Sequence, residues 1–127
     1  MKRAICAAWL KMLRDQDRLS LSLQVLNEAY WVVLRKPAFA PARREVRAYL
    51  ADLALWLTAP STFDTVSRAW RIGDRHGVSW WDALLLASAA EARCSLFLSE
   101  DLADGQVYEG VHVIDPFRHE MEEVLAH

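Results

Sequence analysis

Cysteine is nearly absent from this 127-residue chain: Cys6 and Cys94 stand far apart, and neither belongs to a metal-type or redox-type pair. A reducing cytoplasm is the expected compartment. Glycine is scarce too, four in all, and no Gly-rich phosphate loop, G-x-S-x-G elbow or H-E-x-x-H helix is present. His76, His112, His119 and His127 show no ligand spacing among themselves. Nucleotide-cradling loops, serine-hydrolase elbows and zinc-protease helices therefore fall away. No apolar run reaches the roughly 18 residues of a membrane span, and Lys11 and Arg14 interrupt the apolar stretch near the start, which has no small-residue cleavage site. That stretch reads as an amphipathic helix. Repeats, low-complexity tracts and linkers are missing as well, so residues 1–127 are expected to form one domain.

What is present is a hydrophobic fraction of 54% with 25% charged residues, enough for a core of its own. The formal net charge of -2 conceals an asymmetry. Residues 1–50 hold ten Lys/Arg against four Asp/Glu, and residues 51–127 hold five against thirteen. A basic half suits phosphates and an acidic half a cation, although attraction between halves or solvated faces explain the same counts.

Apolar spacing predicts helices over 2–15, with Ala4, Ala7, Ala8, Met12 and Leu13 on one stripe, and over 23–35, with Leu26, Tyr30, Val33 and Leu34. "KPAFAP" ends the second, because proline disfavours helix in the residue before it. Further helices are predicted over 41–54, from the "PSTFD" start, with Ser61 as cap and Asp64 three residues after it, to Gly77, and over 79–92. Strands are predicted at 18–22, 54–59, "CSLFLS" and "GVHVID". Such alternation implies a mainly parallel sheet covered on both faces. The six tryptophans read as core and helix-packing residues rather than as a base-stacking platform.

In sheets of this kind ligands bind beyond the carboxyl ends of strands. Asp101 lies just there, and Asp82 lies in the first turn of the preceding helix. Local rules give both a simpler role: "SWWD" has capping-box spacing, and "SEDLADG" is rich in turn formers. Glu28 differs, because it interrupts the apolar helix "LQVLNEAYWVVL", where a carboxylate is costly unless paired, metal-bound or at the stripe's edge. Jointly the three would suit a hard divalent cation, for which oxygen donors are the natural ligands.

With "LSLQVLNEAYWVVLRK" and "HGVSWWDALLLASAAEARCSLFLSEDLADGQVYEGVHVIDPF" in that order, the chain resembles PIN-domain ribonucleases, specifically the VapC-type toxins of toxin–antitoxin pairs, over nearly its whole length. The resemblance implies a three-layer α/β/α sandwich and Mg²⁺- or Mn²⁺-dependent cleavage of RNA. It makes Glu28, Asp82 and Asp101 metal ligands and catalytic residues, with Ser99 and Glu100 as accessories. It also implies a cognate antitoxin and a homodimer. Arg35, Lys36, Arg43, Arg44 and Arg47 are candidates for RNA contact.

The chain departs from the family at its start. Family members open with a strand whose closing aspartate is the first metal ligand, and the resemblance here begins inside the following helix. That strand is central in the family's sheet, between the segments matching 18–22 and 95–98. Its loss would leave inner-strand backbone groups unpaired. A start codon assigned too far downstream is the favoured explanation, and a truncated product that no longer cleaves is the other. A non-catalytic binding module that keeps antitoxin or self-association surfaces is the alternative function.

Overall fold

The computed structural model describes residues 1–126. Helix α1 spans Lys2–Asp15 and α2 spans Leu23–Arg35; a 3-10 turn, Pro37–Ala42, leads into α3, Arg43–Leu53. A second 3-10 turn, Ala54–Trp56, precedes α4, Phe63–His76, and α5, Trp80–Glu91. Strands β1 (Leu96–Leu98), β2 (Val107–Tyr108) and β3 (Val111–Ile114) follow, with a short α6, Met121–Leu125, at the end. The α/β class is as expected. The sheet is small and mixed, in order β1-β3-β2: β1 runs parallel to β3 and β2 antiparallel to it.

Local chemistry accounts for most helix boundaries. Ser22 Oγ accepts the Val25 N–H at 3.2 Å and starts α2. Gly77, at φ 70° with its N–H on the Gly73 carbonyl, closes α4 in the left-handed conformation that a Cβ would oppose. The start of α4 differs from expectation. Its cap residue is Thr62 rather than Ser61, and Thr65 Oγ1, not Asp64, accepts the Thr62 N–H at 2.9 Å.

Two expected strands, 18–22 and 54–59, shrink to a single parallel bridge between Leu21 and Leu57. Its bonds run from Leu21 N–H to the Trp56 carbonyl and from Thr58 N–H to the Leu21 carbonyl. Ser22 is already committed to capping α2, and the turn at Ala54–Trp56 carries on from α3, so neither segment extends further. A strand needs a partner along its length, and among the described residues neither this pair nor the outer edge of β1 has one. The extended structure among the described residues is thus one three-stranded sheet and one isolated bridge.

Packing follows the same division. Ala69 and Ile72 of α4, Ala83, Leu86 and Ala87 of α5, and Tyr108, Val111 and Val113 of the hairpin form one buried cluster. Among the hydrophobic residues before α4, only Trp9, Leu26 and Leu53 are buried. The stripe on α1 is displaced from expectation: Trp9 is buried with Ile5 and Met12 half-buried beside it, while Ala4, Ala7 and Ala8 are exposed. The chain exposes 8551 Å², whereas roughly 6,900 Å² is expected of a compact monomer of this mass. Leu55, Trp81 and Leu23 are 83%, 62% and 60% exposed. The tryptophans contradict the sequence-based expectation most clearly: Trp9 alone is buried, and Trp31, Trp70, Trp80 and Trp81 all face solvent.

Candidate functional site

The carboxyl end of β1 is organised by one hydroxyl. Ser99 Oγ accepts the backbone N–H of Asp101 at 3.1 Å and that of Leu102 at 3.4 Å, turning the chain so that Asp101 leaves the strand end exposed. The Ser99 N–H donates to the Ile114 carbonyl, anchoring this turn to β3. Asp104 fastens its far side. Its Oδ1 accepts the Asp115 N–H at 2.9 Å, and its carboxylate pairs with His119 Nε2 at 2.8 Å. The Asp115 backbone bond first, and then His119, hold the Asp104 carboxyl below its ordinary range.

At the start of α5, Ser79 Oγ accepts the Asp82 N–H at 3.2 Å. No reciprocal bond from the Asp82 carboxylate to the Ser79 N–H is found among the described residues. The capping box that "SWWD" suggests is therefore half-built. Serine caps the helix, and the half-buried carboxylate stays unengaged at a helix N-terminus, where negative charge is favoured.

Glu28 lies on the exposed side of α2, away from buried Leu26, which is the stripe-edge position. The Gln24 amide joins it to α5, donating to Glu28 Oε1 at 3.0 Å and to the Trp81 carbonyl at 3.3 Å. Glu28 and the residue preceding Asp82 thus share one hydrogen-bonding partner. Glu100 is engaged elsewhere: Lys2 Nζ meets its Oε2 at 2.6 Å and lies 4.9 Å from the centroid of the Phe117 ring. That carboxylate raises the Lys2 ammonium above its ordinary pKa.

The donor type suits a hard divalent cation, since Glu28, Asp82 and Asp101 offer only oxygen. Their placement does not. Among the described residues no group of three or more His, Cys, Asp or Glu side chains could hold an ion. No chemical step is therefore derived through a metal.

The expected RNA-contact residues divide by what they touch. Arg47 Nε donates to the Tyr30 hydroxyl at 2.6 Å, and Arg43 donates to the Leu34 carbonyl at 3.3 Å, so both tie α3 to α2. Arg35 and Lys36 lie over the rings of Trp31 and Phe39, and Arg44 is exposed. Gln24, Lys2 and Trp31 are the residues near these groups that the sequence did not single out. Only Trp31 carried a usable signal, lying one helical turn from Glu28.

The chain is a helix-rich α/β domain with one acid in the first turn of α5 and another in the turn that follows β1. The PIN domain family model matches residues 2–106, and the chain belongs to that family. PIN domains are generally metal-dependent nucleases. No curated protein and no solved structure matches the chain. Among the described residues no helix is long and apolar enough to cross a membrane.

Proposed function

We propose that the chain is the toxin component of a VapBC-type pair, an endoribonuclease in which Glu28, Asp82 and Asp101 belong to a Mg²⁺ or Mn²⁺ site. The observation that carries this reading is the Asp82 carboxylate, which has no hydrogen-bond or ion-pair partner among the described residues. Ser79 meets the capping requirement, so the acid is not needed for the helix. The second acid ends β1, and Gln24 links the third to α5.

On this reading the three acids come together when a further strand pairs with the free edge of β1. A strand laid along the free edge of β1 would pair its backbone groups, and it would bring a further ligand. The surface in excess of a compact monomer, roughly 1,700 Å², also leaves room for an antitoxin or a second copy, since a standard interface takes about 800 Å² from each partner.

The test is cleavage of RNA in Mn²⁺ by the chain as it stands and by a version extended upstream through one more strand, together with growth arrest in cells. Metal-dependent cutting by the extended version, lost with Asp82→Asn, supports the reading. No cutting, with toxicity unchanged in Asp82→Asn, sinks it.

The second reading, a non-catalytic binding module, is favoured by one observation: no three acids stand together among the described residues. Copurification of a small antitoxin with no heat of Mn²⁺ binding, even from the extended version, would select it.

A further inference from the structure

We propose that the face of α2 running from Glu28 through Trp31 to Arg35 is a platform for single-stranded RNA. On it the Trp31 indole stacks a nucleobase, while Arg35 and Lys36 meet the neighbouring phosphates. The proposal deepens the ribonuclease reading, on which it rests for the choice of RNA, and its own content is the stacking residue.

Residues 28, 31 and 35 follow i, i+3, i+7 spacing and so share one side of the helix. At 1.5 Å per residue, Trp31 lies about 4.5 Å and Arg35 about 10 Å along the axis from Glu28. A strand crossing the face would therefore meet an acid, an aromatic and a cation in turn.

Trp31 is 59% exposed, and the core has no claim on it, since α2 buries Leu26 instead. The exposed Trp70 differs, because it is already packed edge-on against Phe63 at 5.8 Å. The immediate neighbour of Trp31 is a cation. Arg35 Cζ lies over the ring, 5.9 Å from its centroid, so one face of the indole carries a cation and a base would stack on the other.

Electrostatics favour the same ligand. Residues 35–47 carry Arg35, Lys36, Arg43, Arg44 and Arg47 against Glu45 alone. Arg43 and Arg47 are spent on holding α3 to α2, and in doing so they keep this positive field next to Trp31. Aromatic side chains interleaved with cations are what single strands use: every base has a face to stack, and the backbone follows the charge. A duplex hides its base faces inside the helix and offers the indole nothing.

The experiment is fluorescence anisotropy of the whole chain with a short fluorescein-labelled oligouridine and with a blunt RNA duplex, in EDTA so that binding is read without cleavage. Trp31→Ala is expected to weaken oligouridine binding about 5- to 150-fold, the range for one stacked base. Trp31→Phe keeps most of the affinity, Trp70→Ala keeps all of it, and duplex binding is unchanged throughout. Arg35→Gln should lower the salt slope by about 0.7. Equal affinity of Trp31→Ala and the native chain overturns the proposal, and so does a change in sedimentation without a change in RNA affinity, which marks a protein-docking face. Parallel cleavage in Mn²⁺ by the extended version separates the two claims. Binding through Trp31 without cleavage leaves the platform standing and removes the nuclease, whereas cleavage with Trp31 indifferent does the reverse. Absence of both binding and cleavage removes both.

Discussion

The division of labour between Ser79 and Asp82 can be measured directly. Ser79→Ala removes the hydroxyl that accepts the Asp82 N–H and leaves an orphan donor at the start of α5, next to the buried Ala83. Loss of such a cap costs about 1 kcal/mol. With a urea m-value of about 2 kcal/mol/M, the midpoint should fall by about 0.5 M. Asp82→Asn keeps the backbone bond to Ser79 and removes only charge near the helix N-terminus, a term of about 0.3 kcal/mol at its weak end that salt screens. Urea melts of both variants at low and high salt therefore separate the roles: Ser79→Ala loses stability equally in each, and Asp82→Asn becomes indistinguishable from the native chain at high salt. If Asp82→Asn lost as much as Ser79→Ala at high salt, its carboxylate would be structural, and its assignment to a metal site would lose its main support.

Two further outcomes follow from the packing and the Asp104 cluster. Leu86 of α5 is fully buried in the cluster that α5 shares with α4 and the hairpin, so Leu86→Ala should cost about 2–5 kcal/mol in urea melts. Asp104 has its pKa lowered from 3.8 by the Asp115 N–H and then by His119. A folded-state pKa below the unfolded one stabilises the fold above the unfolded value, and this contribution is lost as pH falls through the folded value. Asp104→Asn should therefore flatten the decline in stability below about pH 4, read as thermal midpoint against pH.

The helices were largely legible in the sequence because their signals are local. Ser22 and Ser79 mark two starts, Gly77 a stop, and "KPAFAP" the end of α2. The strands were legible only where a partner exists: 94–99 and 110–115 contain β1 and β3, whereas 18–22 and 54–59 have the composition of strands and only one bridge. Two-residue β2 escaped notice because its one signal was Glu109-Gly110, both at positive φ in the tight turn to β3. The tryptophans were misjudged because composition cannot tell a filled core from an unfilled one.

For the site, sequence located the acids but not their engagements. Spacing made Asp82 a capping-box acid, and only the geometry of Ser79 frees it. Nothing local to Glu28 predicts that Gln24 would join it to the Trp81 carbonyl, because that link crosses 57 positions of chain. The Lys2–Glu100 pair is likewise tertiary, spanning 98 positions.

On the proposed function, Glu28, Asp82 and Asp101 are ligands of one metal site, brought together by a further strand beside β1. The most direct measurement is RNA cleavage in Mn²⁺ by the version extended upstream through that strand, with and without Asp82→Asn. The account predicts cutting that EDTA abolishes and that Asp82→Asn reduces more than about 100-fold, beyond the loss of an outer-shell partner. Cutting that survives both EDTA and Asp82→Asn would contradict it.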